Sequence, residues 1–268
     1  DWRDTGAFVK SGKYSYRVID AAKKEIELRK IASDDTEIMI PQTIDGYKVV
    51  SLGYSGKILT NEVNLSVNRQ FFTVLTNADK VTKITIPKTV TNIGVMAFYQ
   101  CKNIKECNLP ASLTTIGEYA FEGCSGVTEL TVPDSVTSIG YGAFIGMPLT
   151  KLTVPFIGKG MTSTDQDGIL GYWFGSGSIK QLYNSSTYVS CAIPTTLKEV
   201  TVTRATRIPY GAFSNCSFIE KIDIPDTVTS IEDRAFYNCS GLSEINIPNG
   251  IKEIKPYTFC GCSNLKGK

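Results

Sequence analysis

Ile86-Pro-Lys-Thr-Val-Thr-Asn-Ile-Gly-Val-Met-Ala-Phe-Tyr-Gln-Cys101 is the stretch that decides the fold. Its pattern, I-P-x-x-V-x-x-I-G-x-x-A-F-x-x-C, recurs with a 23-residue period, the prolines standing at Pro87, Pro110 and Pro133 and later at Pro225 and Pro248. A unit of this length cannot bury its apolar face alone. Neighbouring repeats must stack, so the core grows along an axis and equivalent positions line up into files.

Outward from each proline, the preceding residues read as one strand per rung: Val81 to Pro87, Ile104 to Pro110, Val127 to Pro133, Leu149 to Pro155, Leu197 to Thr203, Ile219 to Pro225 and Leu242 to Pro248. Aliphatics at the first, fourth and sixth positions face inward, the third and fifth face out, and proline, which cannot donate to the ladder, ends the pairing. The expected product is a parallel sheet. A second short extended piece follows each proline, as in Val90-Thr-Asn-Ile93, and then a turn carrying Ala-Phe. Phe98, Phe121, Phe144, Phe213, Phe236 and Phe259 are expected to stack as a buried aromatic spine.

Two outward files carry the candidate contacts. The third position reads Lys83, Glu106, Glu129, Lys151, Glu199, Lys221 and Glu244, mostly alternating in sign, and predicts ladders of exposed ion pairs. Such a file serves register control and solubility, or docking. The fifth position reads Asn64, Thr85, Asn108, Thr131, Thr153, Thr201, Asp223 and Asn246, small polar side chains that leave the sheet flat enough to take a protein or a glycan.

Eight cysteines are present, and Cys101, Cys124, Cys216, Cys239 and Cys262 all sit three residues after the repeat Phe. Stacked rungs about 4.8 Å apart would permit bridges by distance alone. Their side chains point in parallel into a core, however, where free Cys acts as a small hydrophobe, so free thiols are expected. Cys107 takes an aliphatic strand position, while Cys191 and Cys260 have no place in the pattern.

The period breaks twice. Pro41 to Pro87 spans 46 residues and Pro155 to Thr203 spans 48, each close to two repeats. The first is expected to hide a degenerate strand over 61–65. The second is expected to hold one degenerate rung with a long loop, because residues 156–190 are rich in Gly, Ser, Thr and Tyr. Tyr172, Trp173, Phe174, Tyr183 and Tyr188 in that stretch either cap the core or bind a partner, loops on rigid scaffolds being a frequent seat of function. Alternation over Tyr14 to Val18 and Glu25 to Leu28 predicts an N-terminal hairpin. The organisation expected is therefore a capping hairpin over 1–35 and a solenoid over 36–268, with an irregular insertion at 156–190 and an uncapped C-terminal end, either a piece of a longer array or an edge masked by something else.

Composition narrows the chemistry. A net charge of +2 with no basic block argues against a nucleic-acid footprint, and no apolar run reaches membrane-spanning length, so no membrane insertion is expected. With no histidine, His-based triads and His metal sites are excluded. Asp165-Gln-Asp167-Gly168 lacks the remainder of a calcium loop, and Cys260-Gly-Cys262 is one thiol pair without a second, so neither predicts a metal site. No cofactor motif and no catalytic set stands out. Asn184-Ser-Ser186 and Asn215-Cys-Ser217 match a glycosylation pattern.

The quoted repeat, with Val132-Pro-Asp-Ser-Val-Thr-Ser-Ile-Gly-Tyr-Gly-Ala-Phe144 and the opening Ile38-Met-Ile-Pro-Gln-Thr-Ile-Asp-Gly-Tyr-Lys-Val-Val-Ser-Leu-Gly53, resembles the BspA-type leucine-rich repeats of bacterial and protozoan surface proteins. The resemblance covers roughly residues 36–265 apart from 156–190. It implies an α/β-type repeat solenoid, mostly β: a leucine-rich-repeat right-handed superhelix with repeats of about 23 residues and a parallel sheet. It further implies a secreted or surface-anchored, non-enzymatic adhesion protein of a host-associated bacterium of gut or mouth, its partner a host matrix protein or a glycan. The alternative is a spacer within a larger surface protein. Independently of the resemblance, the start at Asp1 without a Met suggests that a signal peptide has been removed. Departures from the pattern include Met147 for the repeat Cys, and Pro209, Glu232 and Lys255 for the Gly.

Overall fold

The computed structural model describes residues 8–56 and 69–266. The chain divides into two compact units, residues 1–127 with 142–147 and residues 128–141 with 148–268. Within each, the repeats stack as a β-rich solenoid with two parallel strand files, one before the repeat proline and one after it. Among the described residues helix is confined to 3-10 turns at Arg69–Phe71, Asp165–Gly168 and Leu170–Trp173.

In the first unit the file after the proline forms the larger sheet: Tyr47–Leu52, Asn92–Ile93 and Thr115–Ile116 run parallel. The hairpin of Tyr14–Asp20 and Glu25–Ile31 extends that sheet, Glu25–Ile31 pairing in parallel with Tyr47–Leu52. The file before the proline contains Glu37–Met39 against Lys83–Thr85. Residues 104–109 carry one bridging residue, Asn108, in place of the expected strand.

In the second unit the file before the proline dominates. Glu129–Thr131, Lys151–Val154, Glu199–Val202, Lys221–Asp223 and Glu244–Ile245 form a five-stranded parallel sheet. Leu130, Leu152, Val200 and Ile222 face its core, all buried, as the fourth-position rule requires.

The second long interval departs from the expectation of a hidden rung: Lys151 pairs directly with Glu199, so the described residues between them place no strand in this file. In the first unit Glu37 pairs with Lys83, and the strand expected over 61–65 lies outside the described residues. Closing a longer loop adds little entropy cost, so a rung tolerates a long excursion between neighbouring strands. The insertion supplies half a rung. The Leu170 N–H donates to the Ala212 carbonyl at 2.9 Å, the same bond that Phe98 makes to Ala120 and Phe213 to Ala235, both at 2.8 Å. Leu170 therefore stands in the Phe position.

The Phe spine is present in both units. Phe98 and Phe121 stack at 5.4 Å, Phe213 and Phe236 at 5.5 Å, and Phe236 and Phe259 at 5.2 Å. The turns around these rings need left-handed backbone two residues after the Phe, and Gln100, Gly123, Gly146, Asn215, Asn238 and Gly261 all have positive φ there. Gly and Asn enter that region most readily, which explains the composition of the file.

All eight cysteines are free thiols. Cys124, Cys239 and Cys262 each direct the thiol at the carbonyl of the Phe one rung back, at 3.3, 3.0 and 3.1 Å. The position thus selects a small buried side chain with a weak donor. Burial pushes the Cys216 and Cys239 thiols far up and holds them protonated. Because the thiolate is the reactive form, brief alkylation of the native protein should label exposed Cys260 first and leave Cys101, Cys124, Cys216 and Cys239 unlabelled until denaturant is added. Peptide mass spectrometry reads the order.

The repeat Gly of the first unit marks close approach between backbones. A Cβ on Gly117 would stand 2.7 Å from backbone atoms of Gly94 and Val95. Gly117→Ala should therefore cost about 1–3 kcal/mol, as overpacking does, read as a lowered midpoint in urea. In the second unit the same file holds Glu232 and Lys255, which meet as an ion pair.

Candidate functional site

The second unit brings the predicted outward files together on one sheet face. Glu129, Lys151, Glu199, Lys221 and Glu244 lie in register across its five strands, and Thr131, Thr153, Thr201 and Asp223 lie in register beside them. Lys151 meets Glu199 at 3.4 Å, and Lys221 meets Glu244 at 3.6 Å and Asp223 at 3.8 Å. These pairs are about half exposed, so each contributes at most about 1 kcal/mol. Their effect is to hold long charged side chains along one line and leave the threonine file low. Strand spacing of about 4.8 Å sets the pitch of both files.

Not every member of the fifth-position file is available for contact. Asn246 accepts from the Ile224 N–H at 2.7 Å and donates to the Ile224 carbonyl at 2.5 Å. Its amide thereby continues the ladder past Ile245. Thr85 lies in the first unit, paired with Met39, whose side chain is 77% exposed. Asn108 is exposed in the same unit, and Asn64 lies outside the described residues.

The insertion sorts its aromatic residues by burial. Trp173 is fully buried, and its indole N–H donates to the Gly158 carbonyl at 2.9 Å. It belongs to the core, as does Phe174, which corrects the reading of Trp173 as a contact residue. An indole with its N–H satisfied contributes more by filling the space under the insertion than by meeting solvent. Tyr183 is half-buried at the end of the hairpin, where its N–H donates to the Thr187 carbonyl. Tyr188 is 50% exposed, with the Lys180 ammonium 4.7 Å from its ring centre. Tyr172 is half-buried and meets Tyr141 edge to face at 5.6 Å.

Buried Gln181 ties the insertion to the following rung. Its Oε1 accepts from the Gly171 N–H at 2.6 Å, and its Nε2 donates to the carbonyls of Ala212 and Ser214 at 3.3 and 3.2 Å. A side-chain amide here takes the place of a backbone one. Asn215 is likewise committed, its Nδ2 donating to the Lys180 carbonyl. That nitrogen is the atom a glycan would occupy, so of the two glycosylation matches this one serves the turn.

Between the insertion hairpin and its 3-10 turns lies a cleft of about 380 Å³ lined by Tyr141, Gln166, Asp167, Ile169, Gly171, Tyr172, Gly175, Val189 and Cys191. Burial pushes the Cys191 thiol up to about 12, so it is a neutral wall. Sequence reading met Tyr141 only as a turn residue of the repeat and Asp167 only in a failed calcium pattern. Their convergence with Val189 carries no linear signal. Among the described residues no three Cys, Asp or Glu side chains come together as a metal site, and no helix is long and apolar enough to cross a membrane.

A model of the BspA-type leucine-rich repeat region matches six copies over residues 60–164 and 183–267. The chain belongs to the BspA-type leucine-rich-repeat family. This family is generally non-catalytic, and leucine-rich-repeat proteins typically bind proteins. The BspA-type match leaves out 165–182, the core of the insertion.

Among solved structures, the BspA-type chain is similar to a leucine-rich cell surface protein of Faecalibacterium prausnitzii, at 22% identity over 98% of this chain and 82% of that one, with a TM-score of 0.39. It is also similar to a leucine-rich repeat protein of Bacteroides ovatus, at 21% identity over 97% and 93% with a TM-score of 0.36. The pneumococcal vaccine antigen PcpA matches at 16% identity over 92% and 71%, with a TM-score of 0.40. No curated protein matches the chain.

Proposed function

We propose that this protein is a secreted or cell-surface interaction module that holds a host matrix protein or a glycan against its parallel-sheet face. The observation that carries this reading is the in-register file of Thr131, Thr153, Thr201 and Asp223 on four consecutive strands. A low polar strip flanked by fixed charges gives a partner hydrogen-bonding groups at regular spacing, with few long side chains to immobilise on binding. Membership in a repeat family that typically binds proteins supports the same reading. The module acts by contact and carries no reaction of its own.

The experiment is binding of the purified chain to immobilised matrix proteins, mucins and glycans, beside a variant with Thr131, Thr153 and Thr201 replaced by Arg. Binding should fall at least about tenfold, equivalent to about 1.4 kcal/mol. Thermal stability should change little. Thr131 is exposed and Thr153 and Thr201 are part-exposed on the outward side of the sheet, and surface substitutions usually change stability by no more than about 0.5 kcal/mol each. Equal binding by parent and variant would remove the face from the reading.

A second reading, a non-catalytic spacer within a larger surface protein, is favoured by the ion pairs Lys151 to Glu199 and Lys221 to Glu244, which disperse charge along the face. It predicts no binding by the parent to any member of the panel.

A further inference from the structure

The cleft of the insertion is a second surface, separate from the sheet face. Its floor is buried Ile169, Gly171, Gly175 and Cys191, and its rim is Gln166, Asp167, Tyr141, Tyr172 and Val189, all at least partly exposed. We propose that this cleft binds one neutral sugar ring of a glycan.

Four observations select that ligand class. First, the volume of about 380 Å³ lies at the lower end of the range for small-molecule sites, about 300–1,000 Å³. Second, the walls divide by chemistry as a pyranose does. Tyr141 and Tyr172 stand at 78° to one another and, with Val189, give apolar surface for a face of ring C–H groups. Gln166 and Asp167, adjacent in the chain, line the same cleft and bring to it an amide and a carboxylate, groups of the kind that pair with neighbouring hydroxyls.

Third, the charge of the rim selects a neutral ligand. No lining residue is basic, and Lys159 beside the rim is already paired with the Asp167 carboxylate, so the wall offers an anion no uncommitted cation. A cation would have to displace Lys159, whose ammonium stands 3.7 Å from that carboxylate. Fourth, the Asp167 side of the rim is held in place before any ligand arrives. The Asp167 carbonyl accepts from the Lys159 N–H at 2.8 Å, and the Asp167 N–H donates to the Thr164 carbonyl at 3.1 Å. A Cβ on Gly158 would stand 2.0 Å from the Asp167 carbonyl oxygen, so the two segments are in close contact there. A rigid rim loses little freedom on binding.

The site is tested by saturation-transfer NMR and titration of the whole chain with the methyl glycosides of glucose, galactose, mannose and N-acetylglucosamine. At least one should show saturable binding, in the millimolar range usual for small contacts. Tyr172→Ala and Gln166→Ala should each weaken it at least about tenfold. Gln166 is exposed, so its variant decides the matter if Tyr172→Ala fails to fold. The variant with the three threonines of the sheet face replaced should bind the sugar as the parent does, whatever becomes of its binding to matrix proteins. The proposal is overturned if no glycoside binds, if both cleft variants bind like the parent, if the sheet-face variant loses the sugar, or if the cleft takes inorganic phosphate or tetramethylammonium in preference to every glycoside.

Discussion

Phe236→Ala should lower stability by about 3–5 kcal/mol, the range for removing a fully buried aromatic ring. Phe236 has no exposed surface and lies between two neighbours, Phe213 at 5.5 Å and 15° and Phe259 at 5.2 Å and 9°. Its removal opens a cavity inside a column whose walls are fixed by backbone bonds between rungs. Phe236 N–H donates to the Thr258 carbonyl at 3.0 Å, and Phe213 N–H to the Ala235 carbonyl, so the rungs cannot slide together to fill the gap. In a repeat array the loss acts on two interfaces at once, because stability is a sum of each rung and its contacts with its neighbours. Phe259→Ala provides the control. That ring is half-buried and stacks on Phe236, so its loss should cost clearly less. Urea melts of the two variants read the difference, and equal costs would mean that the column does not transmit packing between rungs.

The spine was legible because a 23-residue period puts Phe213, Phe236 and Phe259 in one file whatever the details of each turn. The fourth-position aliphatics of the second unit were legible for the same reason. Period alone does not count rungs, however. The interval of 48 residues looks like two repeats, yet Lys151 pairs directly with Glu199. Backbone pairing, invisible in composition, decides that number. Trp173 shows a second limit. A lone indole in a Gly-, Ser- and Tyr-rich stretch resembles a loop residue, and only the folded chain brings the Gly158 carbonyl to its N–H. The cleft shows a third, since Tyr141, Asp167 and Val189 come from a repeat turn, a 3-10 turn and a hairpin strand that share no motif.

The N-terminal hairpin shows a fourth limit and carries the other large effect. Alternation over Glu25-Ile26-Glu27-Leu28 places Glu27 on the outward side, yet Glu27 is 0% exposed and Arg29 only 6%. The pairing of Glu25–Ile31 with Tyr47–Leu52 shifts register between Ile26 and Glu27, and aromatic rings cover what the shift exposes. The Arg29 guanidinium lies 5.1 Å from the ring centre of Phe8 and 5.2 Å from that of Tyr54. It donates to Glu27 at 2.9 Å, and Glu27 also accepts the Ser55 N–H at 3.0 Å. A buried pair of this kind adds little net stability over an apolar pair, because desolvation offsets attraction, but removing one partner strands the other charge. Glu27→Ala should therefore cost about 3–5 kcal/mol, leaving both the guanidinium and the Ser55 N–H without their acceptor. The decisive measurement is the double variant Glu27→Leu with Arg29→Met. If the cost of the single change is a stranded charge, the double variant should recover most of the lost stability in a urea melt. If it recovers none, the pair is holding the shifted register through its hydrogen bonds, and the hairpin depends on Glu27 for its alignment with Tyr47–Leu52.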